Sequence, residues 1–495
     1  MTEKNFNMEK DKEFDALIES SLGELPPDHL TDEITPWKKA TGRVLWGLAL
    51  RMVVLEILGL NYIMPFIGTL LSLLGFRALR RENKWFKFCN LLNIIYAVSY
   101  FTSAVFNTTV FEYGELAMKI IIAVNITISF LLLICLWQAF REVRRKAGLP
   151  AGAKSAVALI IWYAILVPLG LINYQGIIIP LLMIGLFILM IRSLLKFSKE
   201  LDEAGYAINA ALVKVSDKVL TVVICSVLAV CIVCGYVFFN AYPMKWEEKK
   251  TAETAQITQI KENLLELGFP TDILNDISNE DILECDGALL VCSDDNYHTL
   301  STGNELRIRG VAVRLPGDGD NWKMFHHFIW LDSPEFYGTE AIQIWIGTQE
   351  WEPDGEISGS IYYDEEGKTY TASYYSFSME NTGYTLDAKI YAGFSLPDGG
   401  ENHRGYVSYS LINSTLDSWF IDTRIAYTHP SNLSALVRYP LMTALDQNKA
   451  SGGNTDGSFD AVNKWFQLFI DPDTGEIDVI GETEDYEDTE DFVYY

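Results

Sequence analysis

Arg51 and Glu56 are the residues here with the most chemistry in prospect, because both are ionisable and both fall within a stretch as apolar as a membrane span. A charge held there is costly and marks an ion path, a proton relay or a buried pair. Their i, i+5 spacing sends the two side chains to diverging helix faces, which argues against a direct pair. Asn90 and Asn93 share one face of a later apolar stretch and Asn125 lies in another. Such residues ordinarily act as interhelical hydrogen-bond glue, worth about 0.6 kcal/mol each. Cys225, Cys231 and Cys234 sit in an apolar run without a His or acid beside them. Their Cys-x-x-Cys spacing therefore reads as small polarisable packing, not as a redox or metal site.

Other patterns lie beyond residue 242. Cys285 and Cys292 are the only cysteines there, and a disulfide between them suits an oxidising compartment. His326 and His327 are adjacent, so on a strand they point to opposite faces and cannot share a metal. Asp471-x-Asp473-x-Gly475-x-x-Asp478 resembles part of a calcium loop but lacks the later bidentate Glu, and a hairpin turn explains it better. No Gly-x-Ser-x-Gly, His-Glu-x-x-His or phosphate-binding glycine loop occurs, so no catalytic residue, metal or cofactor is expected. Trp345, Trp351 and Tyr374 stand out as a candidate aromatic binding surface able to stack on sugar rings or on a partner protein. In Tyr374-Tyr375 the two rings must face opposite sides of a strand, so one of them is expected to be exposed.

The elements that must position these residues divide at about residue 242. Residues 242–495 hold 46 Asp+Glu against 15 Lys+Arg, a net charge of −31. Residues 1–34 carry −7 and residues 35–241 carry +11. The acidity of the large C-terminal part speaks against nucleic acid as a partner. Seven apolar stretches precede the division, approximately 44–60, 63–76, 88–106, 117–140, 155–172, 177–191 and 219–242. Most approach the ~20 residues that cross a bilayer. The first two are short and share a bend at Asn61–Tyr62 before Pro65, so they form either two crossings or a re-entrant hairpin. Pro65 precedes Arg77 as Pro180 precedes Arg192, an echo that two similar hairpins explain better than a transport repeat does. Of the 20 basic residues in this segment, 18 fall in one alternate set of connections; the opposite loops, 107–115 and 173–176, have none. Positive charge stays on the cytoplasmic side, which predicts a cytoplasmic N-terminus and an extracytoplasmic C-terminal domain in the cell membrane.

The resulting order is an acidic cytoplasmic leader (1–43), a seven-span helical bundle (44–242), a helical stalk (243–288), an all-β sandwich (289–481) and an acidic, disordered tail (482–495). Leader residues Phe14, Leu17, Ile18 and Leu22 can line one side of a short helix that docks a cytoplasmic protein. In the stalk, a helix over 247–267 stops at Gly268 with Pro270 beyond, and Thr271 and Ser278 read as N-caps of two short helices. From Leu289 the period becomes two. The phase breaks at Gly310, as a β-bulge would break it, and about ten strands with mixed turns predict a sandwich.

Several phrases are familiar in combination: Glu24-Leu-Pro-Pro27, Pro36-Trp37, Gly75-Phe-Arg-Ala-Leu-Arg80 with Glu82-Asn-Lys-Trp-Phe86, Leu267-Gly-Phe-Pro270 and Arg404-Gly-Tyr-Val-Ser-Tyr409. Over most of its length the chain resembles multi-span membrane proteins of low-GC Gram-positive bacteria that carry a C-terminal extracytoplasmic domain. Some of that group look like products of regulatory loci involving sigma factors, so the resemblance implies a membrane regulator. The group has no established catalytic residues to carry over. The expected function is thus a non-enzymatic sensor or regulator whose partners are the bilayer, a cytoplasmic protein at the leader, and a cell-wall glycan or surface protein at the β-domain. A transporter or permease-associated subunit, resting on Arg51 and Glu56, and an extracytoplasmic glycan hydrolase are the alternatives. With 46 acids beyond residue 242, no carboxylate pair is singled out for hydrolysis.

Overall fold

The computed structural model describes residues 36–52, 59–150, 152–172, 176–206, 208, 213–250, 253–301, 303–317, 320–346, 351–381, 388–413, 420–431, 438–455, 458–471 and 476–480. The leader helix, Glu56, the acidic tail and residues 472–475 of the calcium-like turn lie outside them. The chain forms two units, one of residues 1–103 with 113–228, the other of residues 104–112 with 229–495.

The first unit is helical. Its elements are α1 (Pro36–Met52), α2 (Leu60–Leu79), α3 (Lys84–Phe106, to residue 103), α4 (Glu115–Lys146), α5 (Lys154–Leu171), α6 (Ile178–Glu203) and α7 (Asp217–Phe238, to residue 228). Six of the seven helices, α2 to α7, are long and apolar enough to cross a membrane. The described part of α1 has 17 residues. The turn expected at Asn61–Tyr62 lies earlier, at Gly59, whose φ of 75° suits a residue without a Cβ. Small residues let α1 and α2 touch: a Cβ on Gly47 would stand 2.3 Å from Ser72 Oγ, and one on Gly68 would stand 2.6 Å from the Gly47 carbonyl. Without water to drive helices together, such close backbone packing is a principal source of association in lipid. Trp37, Phe86, Phe140 and Phe187 fill the interior, while α7 leaves Val219, Val222, Val227 and Val230 exposed, as a lipid-facing helix does.

The second unit is a β-sandwich with a helical layer on one side. One antiparallel sheet, A, runs β1 (Glu247–Glu248), β8 (Lys368–Ala372), β7 (Trp351–Glu365), β11 (Glu401–Asn413), β5 (Asp320–Trp330), β4 (Glu305–Leu315) and β2 (Leu290–Ser293), with β3 (Asn296–Thr299) also on β4. The other, sheet B, runs β14 (Ile477–Ile480), β13 (Phe459–Ile470), β12 (Phe420–Pro430), β6 (Glu340–Ile346), β10 (Ala388–Phe394) and β9 (Ser376–Asn381). Leu306, Ile308, Trp322, Phe328, Ile344, Ile390, Tyr409, Ile425 and Phe466 form the core between the sheets. The stretch 104–112 belongs to this unit. Leu441 N donates to Asn107 O at 2.7 Å, Tyr439 Oη to Ala104 O at 3.0 Å, and Val110 N to Phe239 O at 2.9 Å. Thr108 is fully buried against Gly235.

The helical segment expected before the sheets is present and lies flat on sheet A. It comprises α8 (Ala255–Glu266), α9 (Thr271–Leu274) and α10 (Asn279–Glu284). Ile257, Ile260, Leu264, Ile273 and Ile282 pack on Val311, Val313, Phe325, Tyr362 and Tyr406. The first helix begins at 255, not 247, because Glu247 and Glu248 pair with Thr371 and Tyr370 of β8. This third layer explains Gly310. Register across β4 and β5 is unbroken from Leu306–Trp330 to Leu315–Asn321, so the expected bulge is absent. Val311 and Val313 face the helices, whereas Ala312 continues the row toward sheet B, so the second half of β4 is apolar on both faces. Gly310 is small because the Phe466 ring packs on its backbone, where a Cβ would meet Cγ at 2.4 Å. The bulges fall instead between β7 and β11.

Two carboxylates tie the helical layer to sheet A. Asp281 accepts hydrogen bonds from Tyr406 Oη (2.6 Å), Ser408 Oγ (2.9 Å) and Ser358 Oγ, with the fully buried Lys323 at 3.3 Å. Asp276 lies 3.0 Å from His327 Nε2 and 2.9 Å from Arg404 Nε, and Arg404 continues to Asp364 at 3.0 Å. Removing one member of a buried charge set strands the rest in low dielectric. Asp281→Ala is therefore expected to lower the stability of the β-unit by about 3–5 kcal/mol, measured by denaturant titration of the full chain followed by tryptophan fluorescence. Asp281→Asn should recover part of the loss through its remaining hydrogen bonds.

Candidate ligand-binding face

Cross-strand register on sheet B places one residue from each of five strands in a single row. Glu380 of β9 pairs with Lys389 of β10, Lys389 with Trp345 of β6, Trp345 with Arg424 of β12, and Arg424 with Trp465 of β13. Residues paired across neighbouring strands share a face, and here it is the face turned away from the core. The neighbouring row, Tyr391, Gln343 and Ala426, is buried beneath α11 (Ala444–Ser451), which covers one half of the sheet through Ala444, Leu445 and Asn448. A capping box at Thr443 and Asp446 fixes the start of α11, and Gly452 in the left-handed region ends it. Gly453, at φ 77°, then brings the chain against the edge of Trp345. Among the described residues no element covers the other half of the face.

That half presents Trp345, Arg424 and Trp465 as a ridge. The Arg424 guanidinium carbon lies 4.6 Å from the Trp345 ring centroid and 5.4 Å from that of Trp465, so the cation stands between two indoles. Its Nη2 donates to Asn463 Oδ1 at 2.7 Å, while its Nε is buried with no hydrogen-bond partner. Trp465 is 39% exposed and Phe469, four residues along on the same face, 38%. Gln467 Nε2 donates to Asp422 Oδ1 at 3.1 Å beside them. Burial raises the Asp422 carboxyl above its ordinary value, and this hydrogen bond partly offsets the rise. The arrangement offers flat apolar rings beside fixed polar groups, as recognition of a ligand with both apolar faces and hydroxyl or anionic edges requires.

The three aromatic residues singled out from sequence do not come together. Trp345 is on the ridge. Trp351 is 3% exposed and donates from Nε1 to Phe420 O, closing a strand end. Tyr374 is 7% exposed, with its hydroxyl on Tyr406 O at 3.0 Å. The exposed member of that Tyr pair is Tyr375, stacked on Tyr242 at 4.4 Å beside an open cleft of 740 Å3 that includes Lys245, Ser360 and Ser373. Arg424 and Trp465 were missed because only strand pairing brings them beside Trp345. The one signal in sequence was the apolar-polar alternation around each.

The remaining candidates also resolve. Cys285 and Cys292 are unbonded buried thiols. Cys292 belongs to the core between the sheets and Cys285 to the layer between sheet A and the helices, so the sheet itself separates them and the expected disulfide is not formed. Burial lifts both thiols above their ordinary range, Cys285 to about 12. Arg51 is buried, 3.9 Å over the Tyr96 ring and 3.4 Å from Asn93 Oδ1. Among the described residues no group of His, Cys, Asp or Glu could hold a metal ion. The two adjacent histidines do face opposite ways, His327 to Asp276 and His326 to Tyr409 and Thr423. β13 and β14, on either side of residues 472–475, pair antiparallel.

No protein-family model matches this chain, and no curated protein does either. Solved structures align with part of it. One comes from work on pH-induced modulation of Streptococcus parasanguinis adhesion by Fap1 fimbriae, at 9% identity over 28% of this chain and 73% of that one, with a TM-score of 0.17. Another is the carbohydrate-binding module TmCBM27, studied for specific mannan recognition, at 10% identity over 34% and 88%, with a TM-score of 0.16. Alignments with TM-scores this low say nothing about what the present chain binds.

Burial pushes His326 down to about 3, so it stays neutral in the folded domain long after an unfolded histidine has taken a proton. Between about pH 6.5 and 3 the unfolded state therefore binds more protons, and stability falls as pH falls. Burial alone would raise Asp276 and Asp281, yet their hydrogen bonds and cations hold both below the usual value of 3.8, so further stability is lost as they protonate below it. Thermal melting across this range should show the decline, and His326→Phe should flatten the portion above pH 4 while leaving the steeper acid limb.

Proposed function

We propose that this chain is a non-enzymatic membrane sensor or regulator whose β-domain binds a cell-surface glycan. The observation that carries the reading is the open Trp345–Arg424–Trp465 ridge on a sheet whose other half is sealed by α11. In this reading the β-domain is extracytoplasmic, supported by the 18 basic residues on one alternate set of connections and their absence from loops 107–115 and 173–176. The acidic leader engages a cytoplasmic protein, and the resemblance to regulatory membrane proteins of low-GC Gram-positive bacteria accords with that division of labour. A transport role has less support: Arg51 is engaged by Asn93 and Tyr96, with no acidic line leading to it among the described residues.

The detergent-solubilised full chain should bind a purified cell-wall polysaccharide fraction in a sedimentation assay. Because exposed tryptophans dominate such contacts, Trp465→Ala should weaken binding by about tenfold or more, with Trp351→Phe, a buried position, as the control that leaves affinity unchanged. Equal binding by wild type and Trp465→Ala would exclude the ridge, and no retention of polysaccharide by the wild type would exclude the glycan reading. Removing residues 1–34 should abolish cytoplasmic pull-down partners while leaving sedimentation intact.

A further inference from the structure

Arg424 differs from four other arginines of the β-unit in having no acid partner among the described residues. Arg307 and Arg309 reach Asp272 and Asp295, Arg314 reaches Asp320 at 2.6 Å, and Arg404 reaches Asp276 and Asp364. Arg424 has no carboxylate within ion-pair distance among the described residues, in a segment with a net charge of −31. In so acidic a domain an internal counterion is easily supplied, and on sheet A it is supplied repeatedly. Here the guanidinium is instead held between two indoles, fixed on one side by Asn463 and left with an unpartnered buried Nε. The hydrogen-bonded pair Gln467–Asp422 and the half-exposed rings of Trp465 and Phe469 lie on the same open half-face, and the Asn463 amide nitrogen is committed to Gly453 O at 2.8 Å.

Resting on the glycan reading above, we propose that the ridge selects acidic saccharides, with the carboxylate or other anionic substituent of one sugar unit seated on Arg424 and adjoining units lying against Trp465 and Trp345. Strands ~4.8 Å apart place the two indoles ~10 Å from one another across β12, with the cation midway. The ligand is thus an extended chain with an anionic group flanked by apolar ring faces. A saccharide fits this better than an acidic peptide, because the flanking groups are flat aromatic faces and amides, not the unpaired sheet edge on which peptide backbones bind. The planar, forked guanidinium pre-positioned by two rings is the donor that matches a carboxylate bidentately, which a lysine cannot do.

The test titrates the detergent-solubilised full chain with three probes of equal length: an alginate oligomer bearing uronate carboxylates, a neutral β-glucan oligomer and oligoglutamate. The alginate oligomer should bind at least tenfold more tightly than the β-glucan, and rising salt should narrow that gap. Arg424→Gln should bring the two saccharides within twofold of each other, and Trp465→Ala should weaken both. Arg424→Lys, which keeps charge but not the planar fork, should retain only part of the preference and guards against misreading a folding defect. Equal wild-type binding of alginate and β-glucan overturns the acidic preference and leaves the glycan reading standing. Binding of neither saccharide overturns both, and tighter binding of oligoglutamate than of alginate replaces the saccharide with an acidic peptide.

Discussion

The β-unit depends on two carboxylates that do not reach water. Asp281 lies on a short helix and Asp276 in the turn between two short helices, which have too few residues to hold their shape alone, and each carboxylate gathers donors from sheet A. Isolated helices of four and six residues are far below the length at which nucleation is recovered in water. They persist because Ile273, Leu274 and Ile282 are buried on the sheet and because their polar anchors are matched one to one. Satisfied networks of this kind specify a single arrangement; half-satisfied ones weaken the fold. The same constraint fixes which side of sheet A is closed, and so leaves sheet B as the side able to meet a ligand.

Much of the architecture was legible in the sequence because bilayer, water and sheet each impose a period. Apolar runs, the change to period two after Leu289 and the Ser278 cap all reappear in the structure. What was misread shares one cause, namely a second partner that local pattern cannot reveal. Gly310 resembled a bulge because the helical layer made Val311 and Val313 apolar on the outward face. Glu247 and Glu248 resembled a helix start because nothing in their neighbourhood announces β8. The candidate face suffered in the same way. Trp345 was visible by type, but its company on the sheet is set by register across β6, β12 and β13, which loops of varied length do not encode locally. Trp351 and Tyr374 were misplaced because aromatic type alone does not distinguish a ring that stacks on ligand from one that seals a core.

Sheet B shows how one surface serves two ends. Where α11 covers it, small and amide side chains such as Ala426 and Gln343 lie beneath the helix. Where the cover ends, side chains become large, flat and cationic within one row. The capping box at Thr443 therefore does more than start a helix, because the position of α11 determines where the protected face stops and the open one begins.

The separation of Cys285 from Cys292 by the thickness of a sheet has a broader meaning. Small exported domains are commonly stapled by disulfides, and their integrity follows the redox poise of their surroundings. The sheets and the helical layer are joined by burial and by matched charge, with Cys285 and Cys292 sunk where thiolate formation is suppressed. The joint between sheet and helices is accordingly one that reduction of these two residues cannot loosen.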